Sequence, residues 1–160
     1  MKKLLVLFVI SCSFVACKQQ ITEVPSFSYE ELKPLLHLKT DKTYVVNFWA
    51  TWCAPCVKEL PYFEKINKEY QDKNIEVILV SLDFPEKVST KLIPFINDKE
   101  LKSRVVLLND ENEQFWINDI SKKWTGALPA TLIYNKDKRE FYETSFTYET
   151  LENKIQSFLK

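Results

Sequence analysis

Glycine is all but missing from this chain: Gly126 is the only one in 160 residues. Phosphate-cradling loops and dinucleotide fingerprints need several glycines close together, so both are excluded. Histidine is equally scarce, with His37 alone, and no second Cys-x-x-Cys pair accompanies Cys53 and Cys56. A zinc site draws further Cys, His or carboxylate ligands together, so neither a metal nor another cofactor is expected. Net charge is absent as well. Lys and Arg number 22 against 22 Asp and Glu, which removes the field that recruits nucleic acid. No internal repeat or low-complexity segment occurs. What remains is a 160-residue chain of 46% apolar content, enough for one domain with a proper core and too little for two.

The N-terminus stands apart from that domain. Lys2 and Lys3 form a basic n-region and Leu4 to Ile10 an apolar h-region, which marks residues 1–16 as a signal peptide. Even extended to Ala16, the apolar stretch falls short of the roughly 20 residues of a spanning helix. Phe14-Val15-Ala16-Cys17 resembles the lipobox of bacterial lipoproteins, although leucine is usual where Phe14 stands. The resemblance implies that Cys17 is acylated and becomes the new N-terminus, anchoring the chain to a membrane from the extracytoplasmic (periplasmic) side. Plain secretory cleavage after Ala16 is the alternative, and Cys12 is a weaker lipidation candidate. Residues 17–27 are polar, carry Pro25 and lack periodicity, so they read as a lipidated N-terminus and tether. The domain is expected over 28–160. With Cys12 removed and Cys17 acylated, Cys53 and Cys56 are the remaining thiols, and in an oxidising compartment they rest as a disulfide.

Strands and helices alternate along the domain. Ser28-Tyr29-Glu30-Glu31 is a capping box opening a short helix. Tyr44 to Trp49 is an apolar run broken only by Asn47, as in a central strand covered on both faces. A helix is expected from Ala54 to about Tyr70, a strand over 75–82, a helix over 88–99 disturbed by Pro94, and a short strand over 104–108. Another helix follows over 113–124, then strands 130–134 and 139–144 around the turn Asn135-Lys136-Asp137-Lys138, and a last helix over 148–159. This order implies an α/β fold, a central mixed β-sheet with helices on both faces.

The chemistry concentrates where the first buried strand turns into a helix. Cys53 and Cys56, two residues apart, can close and reopen a disulfide across one helical turn. A sulfur at a helix N-terminus meets unpaired N–H groups and the positive end of the dipole, which favour its thiolate. Thiolates carry disulfide exchange, so the spacing points to a thiol–disulfide oxidoreductase. Glu59, three residues after Cys56, shares its helix face. Half buried behind the disulfide, it is expected to have a raised pKa and to take a proton from a thiol; a solvated helix glutamate is the plainer reading.

The run Val45-Val46-Asn47-Phe48-Trp49-Ala50-Thr51-Trp52-Cys53-Ala54-Pro55-Cys56-Val57-Lys58-Glu59-Leu60-Pro61 resembles the thioredoxin superfamily, specifically its TlpA-like (ResA-like) extracytoplasmic branch. Gly126-Ala127-Leu128-Pro129-Ala130-Thr131-Leu132 stands in the place of that family's cis-proline loop, with the glycine one residue earlier than in many relatives. The resemblance implies a thioredoxin-like fold with an extra helix–strand insertion over 84–110. It makes Cys53 the attacking nucleophile, Cys56 the resolving thiol and Glu59 the acid that replaces a buried strand acid where Asn47 now stands. It makes Pro129 a cis-proline and Leu128 a backbone partner for an extended substrate, with Trp52, Ala54 and Pro55 also in contact with substrate. The implied activity is reduction of protein disulfides, with apocytochrome c thiols one possible client and an integral-membrane thiol carrier the electron donor. The protein is expected to be a monomer. A disulfide oxidant or isomerase is the first alternative. A peroxidase is disfavoured because Thr51-Trp52-Cys53 lacks the T-x-x-C spacing. A metallochaperone or binding module on the same scaffold would need a histidine facing the cysteines, and His37 is poorly placed for that.

Overall fold

A computed structural model describes residues 20–159; the signal-peptide and Cys17 expectations lie outside the described residues. Strand β2 (Thr43–Trp49) shows how the sheet is covered, because all seven of its residues are buried. Side chains alternate across a strand. Tyr44, Val46 and Phe48 enter one apolar cluster, with Leu32, Trp116 and Leu132, while Val45 and Trp49 enter the other, with Phe63 and Ile155. Thr43, at the start of the strand, and Asn47, at its centre, are the polar residues of that second face.

Six strands, β1 (Ser26–Phe27), β2, β3 (Ile75–Ser81), β4 (Arg104–Leu108), β5 (Ala130–Tyr134) and β6 (Arg139–Tyr142), form a single sheet in the order β1-β4-β3-β2-β5-β6. Strand β3 runs parallel to β2, and β4 runs parallel to β3. The hairpin of β5 and β6 lies antiparallel on the other side of β2. Helices α2 (Ala54–Tyr70), α3 (Ile93–Lys99) and α5 (Tyr148–Gln156) contribute to one apolar cluster, and α1 (Tyr29–Leu32) and α4 (Glu113–Ile120) to the other. The α/β sheet with helices on both faces is therefore present, and the 84–110 segment supplies α3 and β4.

Beyond shifts of one to three residues at the start of β2 and the ends of β3 and α5, four boundaries differ from the sequence expectations. The described part of the expected tether is docked: β1 (Ser26–Phe27) pairs parallel with β4, Val24 is buried, and the Ile21 N–H and C=O both bond the Asn97 side-chain amide at 2.8 Å. Backbone pairing along a sheet edge needs no apolar side-chain pattern, so composition concealed it. The helix expected over 88–99 opens with a wide turn in which the Ile93 N–H reaches Val88 C=O, just ahead of Pro94, which has no N–H to give. The helix from Glu113 stops at Ile120 because Ser121 is extended, and the Trp124 indole then donates to Ala127 C=O at 2.9 Å. Strand β6 ends at Tyr142, freeing Glu143 to bond the 125–127 loop.

Candidate active site

The Cys-x-x-Cys turn sits at the carboxyl end of β2, beside the end of parallel β3, where open α/β sheets form their ligand sites. Cys53 is the N-cap of α2, with extended backbone, and its Sγ accepts the Cys56 N–H at 3.4 Å. Pro55 falls in the first turn, where a missing N–H costs little. A disulfide joins Cys53 and Cys56 across 5.3 Å between Cα atoms. Cys53 retains 7% of its surface and Cys56 none, so only the first sulfur can be approached from outside.

An open groove of about 1030 Å³ lies over Cys53. Trp52, Ala54, Pro55 and Leu128 line it with Cys53, so five of the residues singled out in the sequence share one surface. Trp52 is exposed and Pro129 buried. The Leu128–Pro129 peptide is cis. Cys56 and Glu59 lie beneath, out of solvent. His37 is not among the lining residues, and among the described residues no three His, Cys, Asp or Glu side chains converge as a metal site.

Glu59 is only 1% exposed, despite being a carboxylic acid in the middle of a helix. It faces the polar gap that Asn47 makes in the α2 side of the sheet. Asn47 Nδ2 donates to Glu59 Oε1 at 2.9 Å and to Thr131 Oγ1 at 3.1 Å, and the Phe146 N–H donates to Glu59 Oε2 at 2.7 Å. Burial pushes the carboxyl up to about 7, against the opposing pull of the Phe146 and Asn47 donors. A group poised there can exchange protons with thiols at neutral pH.

Two anchoring carboxylates escaped the sequence reading. Asp83, 3% exposed, accepts the Thr51 N–H at 3.0 Å, the Thr51 hydroxyl at 2.5 Å and the Ser81 hydroxyl at 2.8 Å. It thereby ties the turn carrying Trp52 and Cys53 to the end of β3. Glu143 accepts the Thr125 N–H at 3.1 Å and the Ala127 N–H at 2.9 Å, which ties the loop before Leu128 to β6. The sequence signal for Asp83 was an acid one residue beyond a buried run at the carboxyl end of a parallel strand. Glu143 had none.

Residues 22–139 match the AhpC/TSA family. The chain is 33% identical over 136 residues to the thiol-disulfide oxidoreductase ResA of Oceanobacillus iheyensis, covering 84% of this chain and 64% of that protein. It is 30% identical over 158 residues to a Bacillus cereus protein also named thiol-disulfide oxidoreductase ResA, covering 93% of this chain and 86% of that one. In fold it is similar to a thiol:disulfide interchange protein of the thioredoxin family from Chlorobium tepidum, with a TM-score of 0.64 at 15% identity over 90% of this chain and all of that one.

Proposed function

The chain belongs to the AhpC/TSA family, within its thioredoxin-like, ResA-related part, and we propose that it is a membrane-anchored extracytoplasmic reductase of protein disulfides. Its enzymatic class is thiol–disulfide oxidoreductase. The observation that carries the reading is the Cys53–Cys56 disulfide at the N-terminus of α2, with one sulfur facing the groove and the other sealed beneath it.

In the reducing direction the Cys53 thiolate attacks one sulfur of a substrate disulfide. A mixed disulfide forms and the first substrate thiol leaves. Cys56 then gives its proton to Glu59 and attacks Cys53 Sγ. The internal disulfide re-forms and the second substrate sulfur leaves as a thiolate. The substrate has gained two electrons, and its two thiolates take up, through solvent, the proton Cys53 lost on ionising and the one Cys56 passed to Glu59. Glu59, held near neutrality by burial, serves as the proton acceptor of the resolving step. Leu128 and Trp52 hold the substrate segment in the groove. A membrane thiol carrier restores the dithiol by the reverse exchange.

Acylation at Cys17 places the domain at a membrane surface. Because the chain is docked from Ile21 onward, about three residues separate the lipid from the folded domain, a reach of about 10 Å rather than a long tether. The basic and apolar pattern of residues 2–10, the lipobox-like Phe14-Val15-Ala16-Cys17 and the resemblance to extracytoplasmic oxidoreductases support this placement.

Equilibrating the protein in thiol–disulfide buffers tests the direction. A potential at or below roughly −250 mV supports a reductase fed by a dedicated donor, whereas one near −120 to −180 mV assigns it to disulfide oxidation or isomerisation. Cys53→Ser provides the zero.

A further inference from the structure

The groove over Cys53 is charged in one sense only. Five of its lining residues are acidic, Asp83, Glu86, Asp110, Glu111 and Glu113, and none is Lys, Arg or His, in a chain whose charges balance overall at 22 against 22. Asp83 is buried and occupied with Thr51 and Ser81. The other four reach the surface, and among the described residues none of them forms an ion pair. Asp110 uses its oxygens on the backbone N–H groups of Tyr29 and Asn112, so no cation neutralises it. Two exposed aromatics, Trp52 and Phe84, each 59% exposed, stand beside these carboxylates. Glu86 and Phe84 come from the turn after β3, and Asp110 and Glu111 from the loop after β4, so the 84–110 segment builds one wall of the groove.

We propose that this groove selects cationic protein segments, in which lysine or arginine flanks the half-cystine presented to Cys53. The proposal rests on the disulfide-reductase reading and names its substrate class. A concave surface of one sign raises the local concentration of oppositely charged partners and speeds encounter by about 10- to 1000-fold at low ionic strength. It also rejects acidic segments, because like charges brought together in a groove cost more than they do in open water. Trp52 and Phe84 add flat faces on which guanidinium and ammonium groups stack. The attraction acts before the chemical step, so salt governs the rate of encounter more than the exchange itself.

The test uses two peptides with the same internal Cys-x-x-Cys disulfide, one flanked by lysines and its twin by glutamates, each reduced by the dithiol form of the protein. The lysine peptide should be reduced at least about tenfold faster at about 0.1 M salt. The ratio should fall towards one at about 1 M, where the screening length shortens from about 10 to about 3 Å. The double variant Glu86→Lys, Glu111→Lys should lower or invert the ratio. Because the ratio is taken on one protein preparation, any change in intrinsic thiol reactivity cancels. A ratio near one at low salt, or a preference unaltered in the double variant, overturns the cationic assignment and leaves the reductase standing. Failure to reduce either peptide overturns the reductase reading and the inference with it.

Discussion

Replacing Glu59 by Gln tests the site where its energetics are most exposed. The wild-type carboxyl titrates near 7 in the folded protein against 4.5 for an ordinary glutamate. Between those values the folded state holds a proton that the unfolded chain has released, so stability falls as pH rises through this window and is fully present below about 4.5. The difference of about 2.5 units, at about 1.4 kcal/mol each, amounts to about 3 kcal/mol lost from pH 4.5 to above 7. Glutamine carries no such dependence. Its carbonyl can keep the Phe146 N–H, and its amide can donate to Asn47 Oδ1 once that side chain turns over, an oxygen that now has no partner. Urea unfolding of the oxidised protein at pH 5 and pH 8 should therefore show the variant gaining on the wild type by about 2.5 kcal/mol between the two conditions. Every other titrating group, His37 included, is common to both proteins and drops out of the difference. Equal pH slopes for the two proteins would refute the raised pKa and its role in proton transfer. In the dithiol form the same variant should slow release of the second substrate thiol and lose the step near pH 7 from its rate profile.

Cys56→Ser should accumulate a mixed disulfide between Cys53 and substrate on non-reducing gels, while Cys53→Ser should trap none; equal trapping by both would reverse the assigned roles. Asp83→Asn places an amide N–H₂ among three donors, from the Thr51 N–H, the Thr51 hydroxyl and the Ser81 hydroxyl. It should cost about 1–3 kcal/mol in unfolding free energy and shift the Cys53 thiolate titration, which can be followed by alkylation rate against pH. Gly126 sits at φ +97°, and a Cβ there would meet Ile117 Cδ1 at 3.2 Å. Gly126→Ala should lower stability by about 1–2 kcal/mol, and an unchanged thermal midpoint would show that the loop before Pro129 tolerates a side chain.

The legible parts of this protein are those whose cause is local. Cys53, Cys56 and Glu59 declare themselves because a helix places residues three apart on one face, and the strand before them declares itself as an apolar run broken only by Asn47. The hairpin around Asn135 to Lys138 was equally plain from its turn residues. Helix ends were misjudged where a single backbone event intervened: extended Ser121 ended α4, and the wide turn before Pro94 delayed α3. Strand β1 was invisible because two residues carry no periodic pattern; it joins the sheet through backbone bonds, Leu107 N–H to Pro25 C=O and Asn109 N–H to Phe27 C=O, each at 2.8 Å.

The same division runs through the site. The groups with chemistry lie within seven residues of one another, from Cys53 to Glu59, but the groups that hold them in place come from far along the chain. Asp83 reaches Thr51 across 32 positions, Phe146 reaches Glu59 across 87, and Asn47 meets Thr131 across 84. Two of these three contacts use a backbone N–H, which every residue but proline possesses and no sequence pattern advertises. A buried acid on α2 depends on this remote support: without the Phe146 N–H and the Asn47 amide its carboxylate would be buried unpartnered, and burial alone would push its pKa higher still. The proton acceptor is thus tuned by the sheet and by the loop before α5, while its identity is written in the motif. Substitutions at Asn47 or in the 144–147 loop should accordingly move the pH dependence of exchange while leaving the Cys-x-x-Cys turn in place.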